Sequence, residues 1–181
     1  MATAPLPGFA SPAVGFEAPF ELLGACHERI RRSLALLTRL VGHIDATGHD
    51  DASRSAAADV LRYFDIAAPA HHEDEERHVF PRLLASGDAQ SIALARTLQA
   101  EHREMQTLWA QLRPTLEHWA NAAAGDARIE APARALVDAF IALHGPHLAA
   151  EDSQAFDAAR AGLDEATLAA IGKEMQRRRG A

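Results

Sequence analysis

Two short stretches carry the residues best suited to chemistry: His71-His72-Glu73-Asp74-Glu75-Glu76 and His147-Leu148-Ala149-Ala150-Glu151. Each places a histidine and a carboxylate four residues apart. On a helix that spacing projects the imidazole and the carboxylate from one face, where both can grip one cation. The stretches superpose without a gap, matching Phe64 with Phe140, His71 with His147, Glu75 with Glu151 and Phe80 with Phe156. The repeat favours His71 and Glu75 in the first copy, with His72 and Glu76 as an equally spaced alternative.

Helices must position these pairs. The chain of 181 residues is 48% hydrophobic and poor in aromatics, with alanine and leucine abundant. That composition suits one all-α domain with a substantial core. Residues 1–18, with Pro5, Pro7 and Pro12, read as a flexible or strapped-down arm, and residues 19–181 as the folded domain. From Pro19, apolar residues at steps of three and four predict a first helix ending near Gly48, with His27 on its stripe. A second helix is expected from about Ser53 to Leu84, bent by Pro69. A third spans about Ala89 to Ala122 and places His102 between Leu98 and Met105. A fourth carries Leu136, Phe140, Leu143, His147 and Glu151, with a kink at Gly145-Pro146. A short fifth runs from about Asp164 to Arg178, its arginines suiting the negative end of the helix dipole. Short turns between long amphipathic helices predict an antiparallel up-down-up-down four-helix bundle.

Each long helix thus contributes one stripe histidine: His27, His71, His102 and His147. Together with Glu75 and Glu151 they make six polar groups facing an apolar interior, and each would cost about 1–3 kcal/mol if left unsatisfied. A metal cluster satisfies them together. Imidazole and carboxylate donors without thiolates suit iron or manganese, with zinc also able to fit, and point to a non-haem dinuclear centre. A ferritin-like centre would need Glu-x-x-His on two helices, and Glu75-Glu76-Arg77-His78 supplies it once.

These residues resemble the hemerythrin-like, or HHE cation-binding, family. The resemblance rests on Ala25-Cys26-His27-Glu28-Arg29-Ile30, His71 through Glu76 leading to Val79-Phe80-Pro81, Glu101-His102-Arg103-Glu104-Met105, and His147 through Glu151. It implies a four-helix bundle binding two iron ions, with His27, His71, His102 and His147 as terminal ligands and Glu75 and Glu151 as bridges. It also implies a protein that binds or senses dioxygen, nitric oxide or iron, the alternative being an oxidoreductase acting on peroxide or another small oxidant. Oxygen carriers of the family have a further histidine where Leu98 stands; His144 or a water could take its place.

Net charge is −7 and the one basic run is Arg177-Arg178-Arg179, so no basic face for nucleic acid is expected. The single Cys26 excludes an internal disulfide and reads as packing. No stretch has membrane-spanning length or signal-peptide form, which makes a cytoplasmic location the expectation. His43, His49 and His118 are expected in solvent. Exposure is also the simpler reading of His78, and Glu73, Asp74 and Glu76 are expected to form a solvated acidic face.

Overall fold

Apolar stripes of helical period shape every long element of the computed structural model, which describes residues 14–180. Helix α1 spans Pro19–Thr47, α2 Asp51–Arg62, α3 Ala68–His78, α4 Phe80–Ala85, α5 Ala89–Asn121, α6 Ala131–Ala150, α7 Phe156–Arg160 and α8 Glu165–Arg179. Single π-helical turns at Tyr63–Ala67 and Glu151–Ala155 join α2 to α3 and α6 to α7. No strand occurs among the described residues. The bundle is therefore all-α, with α2 to α4 forming its second rod and α6 with α7 its fourth.

Local chemistry sets the ends. Gly48 leaves α1 with a φ of 87°, a conformation that costs glycine little. Asp50 caps α2 by accepting from Ser53 N at 2.9 Å, while Asp50 N donates to Ser53 Oγ at 2.8 Å. Asp88 and Asp164 cap α5 and α8 in the same way, each accepting a backbone N–H at 2.8 Å.

The expected bend at Pro69 takes a defined form. Proline has no N–H to return to the carbonyl four residues back, and just before it the helix widens: Ala68 N donates to Tyr63 O, five residues away. In the fourth rod the irregularity falls later than expected. Helix α6 continues through Gly145-Pro146, and the widened turn begins at Glu151 itself. Its buried stripe is also rotated from the predicted one: Val137, Phe140, His144 and His147 face inward, while Leu136 and Leu143 are only partly covered.

Two apolar clusters fill the interior. One holds Ile30, Leu37, Val60, Phe64, Leu112, Leu116 and Phe140; the other holds Phe20, Leu23, Val79, Phe80, Leu98, Ala155, Phe156 and Met175. Every rod crosses from one cluster to the other, alternately in direction, and each carries its site residues at the crossing. His27 lies between Leu23 and Ile30, His71 and Glu75 between Phe64 and Val79, His102 between Leu98 and Leu112, and His147 and Glu151 between Phe140 and Ala155. A polar layer is thereby sealed between two dry ones.

Helix α8 closes the second cluster through Ile171 and Met175. Val14 and Phe16 pack there too, and a Cβ on Gly172 would run into the Phe16 carbonyl oxygen, so glycine permits that crossing. Of the arm read as residues 1–18, residues 1–13 lie outside the described residues. No helix among the described residues is long and apolar enough to cross a membrane.

Candidate metal centre

Four helical rods bring His27, His71, Glu75, His102, His147 and Glu151 into the polar layer, all between 0% and 1% exposed. Donor atoms of His27, His71, Glu75 and Glu151 lie within 4.8 Å of one another, as do those of His102, His147 and Glu151. Glu75 turns Oε1 toward His71 Nε2 (3.2 Å) and His27 Nε2 (3.5 Å), and Oε2 toward His102 Nε2 (3.6 Å). Glu151 turns Oε2 toward His27 Nε2 (3.3 Å) and Oε1 toward His147 Nε2 (3.2 Å). Each carboxylate thus offers one oxygen to the His27–His71 side and one to the His102–His147 side.

The histidines are aimed from behind. His27 Nδ1 donates to Asp152 Oδ1 at 2.7 Å, His102 Nδ1 to Glu76 Oε1 at 3.1 Å, and His147 Nδ1 to Glu101 Oε2 at 2.8 Å. A carboxylate only accepts, so these three Nδ1 atoms carry hydrogen and each ring turns Nε2 inward, where a cation would take its lone pair. His102 Nε2 and His147 Nε2 then face each other at 3.2 Å. His27 Nε2, both nitrogens of His71 and all four oxygens of Glu75 and Glu151 are buried without a hydrogen-bond partner. A cation on each side would satisfy all of these atoms but His71 Nδ1, so the donor set fits a metal centre.

Electrostatics follow the same geometry. Burial alone would lower His27, yet the carboxylates of Glu151 and Glu75 facing its Nε2 carry it up to about 10. Burial and the charge of Glu151 push Glu75 up; burial would also raise Glu151, but the His147 and His27 rings beside it hold it down. Burial, helped by neighbouring imidazoles, holds His71 and His72 well below the usual range and His102 down to about 3.

A pH dependence of the metal-free protein follows. Stability supplied by the His27 proton is complete below about 6.5 and is lost as pH rises through about 10. Histidines held neutral in the fold act oppositely, their contribution being present above about 6.5 and lost as pH falls. Urea midpoints of chelator-treated protein should therefore peak near neutrality and fall on both sides. A monotonic profile would contradict this.

The sequence did not single out Asp152 or Glu101, and it placed Glu76 in solvent or in an alternative pair. The structure leaves His72 and Glu76 outside both donor groups, with His72 stacked on His102 at 4.0 Å and Glu76 also accepting from Gln99 Nε2 at 2.8 Å. The available signal was adjacency: Glu75-Glu76, Glu101-His102 and Glu151-Asp152 each set an acid beside a site residue. E76Q, E101Q and D152N should each weaken cation binding by about 10–100-fold in a competition titration with a chelator, the usual cost of losing such a partner. Unchanged affinity would show that these carboxylates do not orient the rings.

Three expectations are corrected. Asp74 is fully buried, not solvated, and pairs with Arg178 and Arg179 of α8. His49 is buried, with Nδ1 2.8 Å from Ser53 Oγ, and His78 is largely covered and 2.7 Å from Glu174 Oε2. In all three the partner lies on another element or across a turn, where stripe periodicity does not reach. Cys26 is buried, as its packing role requires.

A family model for the hemerythrin HHE cation binding domain matches residues 18–159. The chain belongs to the hemerythrin HHE cation-binding family. An uncharacterized protein of Haemophilus influenzae is 29% identical over 161 residues, covering 89% of this chain and 90% of its own. The match holds all six residues of the polar layer and stops short of α8. In this member of the hemerythrin family, Leu98 is 1% exposed within the second apolar cluster. His144 is buried but lies outside both donor groups.

Proposed function

We propose that the protein is a non-haem di-iron protein that binds or senses a small ligand, dioxygen or nitric oxide, or takes up iron itself. The observation that carries this reading is the orientation of Glu75 and Glu151, each with one oxygen toward either side of the layer. His27 and His71 would hold one cation and His102 and His147 the other, with both carboxylates shared. Iron bound there would supply redox chemistry and an open position for an exogenous ligand. The chain's own residues orient the donors, exclude water through the two apolar clusters, and keep Nδ1 protons on the outward side of three rings.

Manganese or zinc would also suit nitrogen and oxygen donors. An oxidoreductase acting on peroxide is the second reading. It is favoured by Leu98, which leaves the His102 side with no further histidine from α5.

Elemental analysis of protein expressed with iron available, beside its visible spectrum, tests the proposal. About two irons per chain with an oxo-bridged charge-transfer spectrum would support it. Protein that stays metal-free after iron is offered would overturn it. Reversible spectral change with oxygen or nitric oxide would favour the binding reading, and catalytic consumption of peroxide the second.

A further inference from the structure

Beside the polar layer, the first apolar cluster carries a layer of aromatic rings. Phe64 precedes His71 by seven residues, Phe140 precedes His147 by seven, and Trp109 follows His102 by seven. Seven residues make almost two whole helical turns, so each ring shares the face of its histidine about 10 Å along the rod. The third rod runs against the second and fourth, so all three rings fall on the same side of the layer, where they meet. Trp109 lies 5.2 Å from Phe64 and 5.7 Å from Phe140, and those two lie 4.9 Å apart. Helix α5 runs unbroken from His102 to Trp109, with buried Met105 between them.

Trp109 differs from its two neighbours. Phenylalanine resists oxidation, whereas an indole gives up one electron readily. Phe64 and Phe140 are buried, while Trp109 is only partly covered. Its Nε1 donates to Asp65 Oδ1 at 3.0 Å. Arg113 holds that carboxylate at 3.0 Å and 3.1 Å through Nε and Nη2, and meets Glu117 at 2.8 Å. Two acids and one cation therefore stand beside the indole edge, and their net negative charge favours positive charge on the ring. Packing alone would be served by a third phenylalanine.

We propose that Trp109 is an electron relay, giving one electron to the centre through the aromatic layer when peroxide reacts there, and carrying the oxidising equivalent to the surface. This inference rests on the cation reading of the site and deepens its peroxide branch. Hydrogen peroxide breaks its O–O bond and takes up two electrons and two protons to become two waters. With one ferrous and one ferric iron present, the ferrous iron supplies one electron and becomes ferric. The indole supplies the other and becomes a radical cation. Both protons come from solvent, and the Nε1 proton stays in its hydrogen bond to Asp65.

The test uses the full chain loaded with iron and reduced to that half-reduced state, mixed with hydrogen peroxide, freeze-quenched and read by electron paramagnetic resonance. An organic radical signal that narrows when the protein carries ring-deuterated tryptophan is expected. W109F should lose the signal while keeping the iron content of the parent. D65N should shorten its lifetime by about 10-fold, the effect of losing one charged hydrogen-bond partner. Trp119, the other indole, lies ten residues further along α5, and a radical there would survive W109F. An undiminished signal in W109F, or one insensitive to deuteration, would overturn the proposal. Should W109F not fold, an unchanged lifetime in D65N overturns it equally. A parent that holds iron yet gives no radical overturns the relay alone. A parent that binds no iron is recognised by metal analysis before peroxide is added, and overturns the cation reading with it.

Discussion

Glu151→Ala protein should lose cation binding on both sides of the layer at once. Glu151 supplies an oxygen to each donor group, at 3.3 Å from His27 Nε2 and 3.2 Å from His147 Nε2. Removing an outer partner of a metal-bound histidine typically costs 10–100-fold in affinity, so loss of a shared donor should cost more than about 100-fold. Iron content measured after gel filtration should fall from about two per chain to below about one. Glu151→Asp, which keeps the charge on a shorter stem, should fall between. Full iron occupancy in Glu151→Ala would sink the assignment of Glu151 as a shared ligand.

Asp74→Ala should cause the largest loss of stability outside the centre. Asp74 is fully buried on α3 and meets both Arg178 and Arg179, while Glu174 accepts from Arg178 Nε at 2.8 Å and lies 2.7 Å from His78. Breaking a buried ion pair from one side usually costs 3–5 kcal/mol, because the remaining charge is stranded. Here the arginine side chains are 15% and 20% exposed and can partly rehydrate, so about 2–4 kcal/mol is expected. For a chain of this length that lowers the melting temperature by on the order of 5–15 °C. Limited proteolysis should cut first near α8, whose hold on α3 the substitution weakens. A melt within about 1 °C of the parent would show that the apolar contacts of Ile171 and Met175 suffice.

The two substitutions separate what α3 does through neighbouring residues. Asp74 anchors the helix to α8 through Arg178 and Arg179, whereas Glu75 points into the layer. Asp74→Ala should therefore retain cation binding at a temperature where it is folded.

The sequence by itself determined the helices, the bundle and the six residues of the layer, because each depends on relations local to one helix. A stripe at steps of three and four decides which face is buried in the first three rods, though in the fourth the buried face is rotated from it. A four-residue interval decides that His71 meets Glu75 and His147 meets Glu151. Only the tertiary structure decided which acids stand behind the rings and which are structural anchors. Asp152 reaches His27 across 125 residues, Glu101 reaches His147 across 46, and Asp74 reaches Arg178 across 104. One stretch of acids, Glu73 to Glu76, divides among an exposed pair, a buried clamp, a site carboxylate and an outer hydrogen-bond acceptor. Successive helical residues are turned by about 100°, so each of these acids meets a different neighbour. Which neighbour that is depends on how the rods and α8 pack, and no periodicity within the stretch contains it.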